Sequence, residues 1–289
     1  MSNTIELAKS FVPKLDECYR LASLTSVLDG APELAKQGAN ANELIIPMMS
    51  MDGLADYSRY GCYVQGGVTM TNETVKCYFD RGRRFDVDVM DDLETAGLAF
   101  GRLSAQFIRD KVVPELDAFR FASYCGISGV TKKEETLADG AATVAALSAA
   151  VTAMDDEEVT ATGRYLFITP TLLQGINDMD TTKSKKVLEG FEQVIKVPQR
   201  RFYTAIKQLS GKTGEEAGGY TKAAGAANIN FAIVQKDALI QYTKHAAPKI
   251  IAPENNPDAD AYVFGYRMVG IAKAYKNMLS GMYFSHDKA

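Results

Sequence analysis

The stretch from Glu43 to Gly126 constrains this chain more than any other. Residues 43–49 read as a strand, and 50–67 follow as a long polar stretch with no regular apolar spacing. Residues 68–79 read as a second strand, which leads into a basic knot, Arg81-Gly82-Arg83-Arg84. Residues 85–90 alternate, and a helical pattern continues from there to about Tyr124. The 50–80 segment therefore reads as a hairpin reaching away from the body, followed by one very long helix. An isolated hairpin is marginal in water, and its unpaired backbone groups invite other chains. Such a limb makes physical sense where neighbouring copies receive it. The pattern is that of a building block.

The rest of the composition is that of an ordinary soluble chain. Hydrophobic residues make up 46% and charged residues 24% of 289, enough for one large core or two smaller ones. The net charge of −4 argues against a broad basic face that grips nucleic acid. Tryptophan is absent, which removes one common stacking platform. Cys18, Cys62, Cys77 and Cys125 lie far apart with no CxxC pair. That spacing suits free thiols in a reducing compartment better than disulfides or zinc. No apolar run approaches the ~20 residues that span a bilayer. The start, Met1-Ser2-Asn3-Thr4-Ile5-Glu6, lacks the basic and apolar blocks of a signal peptide. The expectation is a cytoplasmic chain that meets no membrane.

Periodicity sets out the remaining elements. Ile5, Ala8, Val12, Leu15, Tyr19 and Ala22 have helical spacing over 4–28, bent at Pro13, and suggest an arm lying across another body. Val75, Cys77 and Phe79 share one side of a strand; Phe85, Val87 and Val89 should face a core. Asp91 or Asp92 caps the long helix, with Glu94 in its first turn. Its buried stripe is Leu93, Gly97, Phe100, Leu103, Phe107, Ile108 and Val112, continued by Leu116, Phe119 and Ala122. At about 50 Å it is unusually long, and Pro114 predicts a kink. Beyond Thr136 come an Ala-rich helix over 137–154 (Val144, Leu147, Val151 and Met154 on one side) and a buried strand at 165–168. Thr169 then caps a helix with Pro170 in its first turn. A strand region follows at 194–203, a surface loop at 208–228, a buried strand at 231–234 and a short helix at 237–241. The tail returns to strand at 261–272 and 281–285. Two strand-then-helix units argue for a compact α+β domain over about 127–247, interleaved with a second domain to which the chain comes back.

Chemistry-bearing motifs are scarce. Gly211-Lys212-Thr213 lacks the upstream glycine of a phosphate loop and reads as a turn. Gly126-Ile127-Ser128-Gly129 lacks nucleophile-elbow spacing and reads as a hinge. His245 and His286 sit away from any cysteine or carboxylate at ligand spacing. The acidic run 155–158 reads as a solvated helix end, and 255–260 lacks the central Gly and closing Glu of a calcium loop. No catalytic, cofactor or metal set emerges, so no enzyme is expected. The basic knot Arg81, Arg83, Arg84, followed by Asp86 and Asp88, reads instead as a plus-then-minus stripe for salt bridges between copies. Tyr57, Arg59, Tyr60 and Tyr63 near the hairpin tip have the composition of a contact patch.

The order arm, extended hairpin, long helix, α+β domain and returning strands resembles the major capsid proteins of tailed bacteriophages, the Hong Kong 97 fold. So do Glu43-Leu44-Ile45-Ile46-Pro47, Thr71-Asn72-Glu73-Thr74-Val75, Asp80-Arg81-Gly82-Arg83, Lys111-Val112-Val113-Pro114-Glu115-Leu116-Asp117-Ala118, Phe167-Ile168-Thr169-Pro170 and the stretch 261–271. The resemblance covers essentially the whole chain. It implies an N-terminal arm over 1–42, an extended loop over 50–80, a peripheral domain of 43–49, 81–126 and 250–289 with a spine helix, and an axial domain over 127–249. It implies pentamers and hexamers closing into an icosahedral head around double-stranded DNA that they contact weakly. Assembly would take place in the host cytoplasm, and the location would be the virion. A portal, a separate scaffolding protein (since no long pro-segment precedes the arm) and, in some relatives, a decoration protein would be partners. Residues 50–75 contain no lysine and Lys76 lies near the hairpin base, so shells held without covalent cross-links are expected. Two alternatives are an encapsulin-like nanocompartment shell around an enzyme cargo and a cytoplasmic enzyme using carboxylates.

Overall fold

The computed structural model describes residues 23–30, 36–37, 43–57, 59, 63–90 and 98–288. The hairpin consists of β2 (Glu43–Met51) and β3 (Val68–Lys76), antiparallel from Glu43 opposite Lys76 to Met51 opposite Val68. A two-residue strand, β1 (Lys36–Gln37), pairs with β2. At the far end Asp52 N–H donates to Gly67 O at 3.2 Å, and Gly67 N–H donates to Asp52 Oδ2 at 2.7 Å. Residues 52–57 and 63–67 carry no regular structure beyond this closure.

The second expected strand is two strands. Pairing with β2 ends at Lys76, and after Cys77 and Tyr78 the chain enters β4 (Phe79–Asp88) in a different sheet. That sheet has the order β11 (Leu239–Ile251), β12 (Ala261–Ala274), β4, all antiparallel. The basic knot therefore lies inside a strand. Gly82 permits this, because a Cβ there would lie 2.8 Å from the Tyr266 carbonyl oxygen.

The long helix comprises α1 (Leu98–Phe107), a π turn (Ile108–Val112) and α2 (Val113–Gly126). Val113 N–H donates to Ile108 O, a one-residue widening just before Pro114. That slip relieves the crowding a proline ring imposes on the carbonyl four residues back. The proline's disturbance takes the form of a π turn. The expected cap at Asp91 or Asp92, together with Leu93, Glu94 and Gly97, lies outside the described residues. So does most of the 4–28 helix; its described end is one 3-10 turn, Ser26–Leu28.

A five-stranded sheet has the order β5 (Thr131–Glu134), β13 (Met282–His286), β10 (Ile229–Gln235), β6 (Arg164–Ile168), β7 (Gln193–Lys196). Central β10 runs antiparallel to β6 and β13, whereas β5 and β7 join in parallel. Every residue of β6 and β10 is buried. Leu166, Ile168, Phe231 and Ile233 pack with α3 (Gly140–Asp156) and α4 (Pro170–Met179). Tyr165, Phe167, Ala232 and Val234 pack with α2 through Phe121 and Tyr124. Coverage on both faces explains why these strands read as unbroken apolar runs.

Several local expectations change. Asp139 caps α3, its Oδ1 accepting from Ala142 N–H at 2.7 Å. Thr169 precedes α4 as expected, but its side chain makes no capping hydrogen bond. A further helix, α5 (Thr182–Glu189), carries a Thr181–Ser184 capping box that sequence reading missed. The expected helix at 237–241 is a 3-10 turn, Lys236–Ala238, running straight into β11. The expected strand at 194–203 ends at Lys196 and becomes a 3-10 turn, Gln199–Arg201. Within 208–228 the loop folds back on itself through β8 (Ile206–Gln208) and β9 (Tyr220–Lys222). The last strand lies in the five-stranded sheet, beside β10, and not with β12.

Candidate assembly surface

Residues paired across an antiparallel ladder point to the same face. Met49 faces Met70 and Met51 faces Val68, so one face of the hairpin near its tip carries four apolar side chains. All four are exposed, Met51 at 67% and Met70 at 69%. Ser50, Thr69 and Thr71 occupy the opposite face. Beyond the ladder, Leu54, Tyr57, Tyr63 and Val64 are exposed too. Eight of the eleven large apolar residues exposed among the described residues thus belong to this one limb. The Tyr57 and Tyr63 rings pack in a tilted arrangement, 53° between planes, with centroids 5.0 Å apart, and Arg59 is exposed on the intervening turn. Tyr60 lies outside the described residues.

The base of the limb is fastened. Val75 is buried with Ile240 and Ile271. Glu73 sits 3.2 Å from Lys276 Nζ and 4.0 Å from Lys273 Nζ. Tyr78 O–H donates to Ala272 O, and burial pushes its phenol up. Lys76 is exposed at the end of β3.

The basic knot is split by the two-residue period of β4. Arg81 and Arg83 share the side of Phe79 and Phe85, toward the long helix. Arg81 Nε donates to Glu115 Oε1 at 2.8 Å, and its Nη2 donates to Leu209 O at 2.8 Å and Gly219 O at 3.2 Å. Arg83 Nη2 donates to Glu216 O at 2.8 Å. Both arginines hold the β8–β9 segment against the strand. Burial pushes the Glu115 carboxyl above its ordinary value, opposed by the Arg81 charge. Arg84, Asp86 and Asp88 lie on the other, exposed face. Arg84 pairs with Asp86 at 2.8 Å, and Asp88 Oδ1 accepts from Met90 N–H at 2.9 Å. The single stripe expected from sequence is two separate sets, because adjacent strand residues cannot share a face.

Sequence reading missed a buried polar knot where residues 23–29 meet the body. Asp117, fully buried, accepts from Ser23 Oγ at 3.0 Å, Leu24 N–H at 3.2 Å, Thr25 N–H at 3.3 Å, Thr25 Oγ1 at 2.8 Å and Arg201 Nη1 at 3.2 Å. Arg120 donates to Thr25 Oγ1 at 2.8 Å and to Asp29 Oδ1 at 3.2 Å. Gln241 Nε2 donates to Asp29 Oδ1 and to Thr25 O, both at 2.7 Å, and Tyr124 O–H donates to Gln241 Oε1 at 2.6 Å. The signal was present: Asp117 and Arg120 interrupt an otherwise apolar helix face, and buried charges need partners.

The remaining motifs take structural roles. In the Gly211 turn (φ +72), Ser210 N–H donates to Glu215 Oε2 at 2.7 Å, so a carboxylate of the chain occupies the amide. Lys207, 2.6 Å away, and that amide hold the Glu215 carboxyl down at about 2. His286 Nδ1 lies 2.8 Å from Asp287 O, and His245 is exposed on β11. No three His, Cys, Asp or Glu gather for a metal among the described residues. No described helix is long and apolar enough to cross a membrane.

This mixed α+β arrangement is that of phage capsid structures. No family model matches the sequence, and no curated protein does. Among solved structures, one from Gordonia phage Cozz is similar at a TM-score of 0.62 and 10% identity, over 93% of this chain and 87% of that one. A virus-like particle from Pyrococcus furiosus is similar at 0.60 and 10%, over 96% and 98%. The capsid of cyanophage P-SCSP1u is similar at 0.52 and 12%, over 87% and 85%. At such identities the likeness is one of fold.

Proposed function

We propose that this chain is the major capsid protein of a tailed phage or prophage, with the Hong Kong 97 arrangement of arm, extended loop, spine helix, peripheral domain and axial domain. Its copies join as pentamers and hexamers and close into an icosahedral head around double-stranded DNA. The role is mechanical. The observation that carries this reading is the concentration of exposed apolar side chains on the 49–70 limb, on a chain whose fold is that of phage capsids. A monomer leaves that surface wet, and burying it against neighbours stabilises an assembly at about 25 cal/mol per Å². Scaffolding, portal and decoration proteins would be further partners. The peripheral domain would contain β4, β11 and β12, and the axial domain the five-stranded sheet, with β13 added to it.

The test is electron microscopy of the purified chain beside a variant with 52–67 replaced by a two-residue turn. Shells or capsomer sheets from the natural chain, and folded single molecules from the variant, are expected. A shortened variant that assembles as well as the natural chain would refute the role given to the limb.

A second reading, an encapsulin-like shell around protein cargo, is favoured by the end-to-end match to the Pyrococcus virus-like particle. Particles purified from the native source distinguish the two by their contents: duplex DNA or an enzyme.

A further inference from the structure

We propose that a cleft beside the long helix receives the acidic corner 155–158 of a second copy, giving a head-to-tail contact around each ring. This rests on the self-assembly reading above and names one of its contacts. The cleft, of about 1070 Å³, lies between β4, the long helix and the β8–β9 segment. Phe85, Phe107, Tyr266 and Met268 are among its apolar walls. Arg83, Arg109, Lys111, Arg200 and Lys222 line it as cations, and all five are exposed. Its two carboxylates are already engaged, Glu115 with Arg81 and Asp110 with Arg109. Lys111 and Arg200 pair with no carboxylate among the described residues. On a chain of net charge −4 this is a local excess of positive charge, and it selects an acidic occupant. Apolar walls beneath the cations suit a protein segment better than a solvated phosphate backbone.

The chain carries a matching piece. Residues 155–158 end α3 and are all exposed. Asp155 pairs with Arg164 at 2.7 Å, whereas Asp156, Glu157 and Glu158 have no cation partner among the described residues. Carboxylates at a helix C-terminus oppose the helix dipole, an unfavourable arrangement that a cationic partner relieves. Glu158 turns the chain sharply at φ +57, which makes the run a projecting corner. Within one molecule the two cannot meet. The helix α3 packs on the Leu166 and Phe231 side of the five-stranded sheet, while the long helix that walls the cleft packs on the Phe167 side. A contact between two different patches of identical copies is heterologous, and such contacts generate rings where the rotation closes.

Charge reversal tests the contact. One variant carries Lys111→Glu with Arg200→Glu, a second carries Asp156→Lys with Glu157→Lys, and a third carries all four. Assembly is read by sedimentation across a concentration series, and folding by circular dichroism. Each reversal alone should raise the concentration needed for assembly about tenfold or more, and the fourfold variant should recover most of that loss. Mixing the two reversed chains should restore even-membered rings in which they alternate, because every cleft then meets a corner of opposite charge. A mixture as defective as either chain alone counts against the contact. Recovery supports the contact. Fourfold variants as defective as the singles, or singles that assemble normally, overturn it. So does a cleft reversal that lowers duplex-DNA retention in a gel-shift assay while assembly is unchanged, which assigns the cleft to phosphate. If the natural chain forms oligomers other than shells, the shell reading falls and the same swap read on oligomer mass still decides the contact. A natural chain that stays monomeric at all concentrations overturns both.

Discussion

The limb at 43–76 and the five-stranded body use the same strand chemistry to opposite ends. In the body, β6 and β10 bury every side chain, with Phe167 and Phe231 both at 0% exposure. In the limb, β2 and β3 pair over nine residues, yet the apolar side chains near the tip stand in water. Strands β6 and β10 have a ladder on both sides and bury every side chain, whereas among the described residues β3 has a partner on one side only. Hydrogen bonds exchanged with water contribute little net stability, so the body's stability comes from burial, and the limb's must come from its base or from other copies.

Substitutions can break that contrast. Phe231→Ala removes a ring packed between the sheet and the helices, and should cost about 3–5 kcal/mol in urea unfolding of the monomer. Met49→Ser combined with Met70→Ser should change monomer stability by no more than about 0.5 kcal/mol and still abolish assembly. Equal losses of monomer stability in both variants would erase the distinction.

Asp117→Ala sharpens it next, at the point where residues 23–29 join the body. It leaves the Ser23, Thr25 and Arg201 donors without their buried acceptor. The expected loss is about 3 kcal/mol, read as a lower denaturant midpoint at unchanged slope. Gly140→Ala is smaller: its Cβ would lie 2.2 Å from the Gly175 carbonyl oxygen, where α3 and α4 touch, and a backbone shift there costs about 1–3 kcal/mol.

The smallest effect is local and depends on pH. Lys207 and the Ser210 amide hold the Glu215 carboxyl at about 2, below its ordinary 4.5. The folded loop therefore binds that proton less readily than the unfolded chain does. Its stabilising contribution is present above pH 4.5 and disappears as pH falls toward about 2. Hydrogen exchange at the Ser210 amide should accelerate across that window, relative to the body, and Glu215→Gln should remove the dependence. Exchange that follows pH identically in the variant would show that another group sets it.

Much of this molecule was legible in neighbouring residues. The hairpin strands, the long helix and the Ala-rich helix follow from apolar periodicity, and the buried strands, read at 165–168 and 231–234, from unbroken apolar runs; both signals are local and survive without knowledge of partners. Phe85 and Val87 were read as facing a core and are half-buried against it. Alternation also contained the division of Arg81 and Arg83 from Arg84, Asp86 and Asp88, but only once β4 is known to begin at Phe79.

What the tertiary structure alone decided concerns partners far apart in the chain. The break at Cys77 and Tyr78 hands one extended run to two sheets because Phe79 packs on the long helix, while Val75 packs on β11 and β12. Leu239–Gln241 continue into a strand because β12, some thirty residues on, supplies a ladder from Leu239 opposite Ala274. The last strand joins β10 because Phe284 fits opposite Ala232 in the core beside α2. Each choice is a competition between non-local contacts. Sequence periodicity names the face a residue presents, and only packing in three dimensions determines which surface meets it.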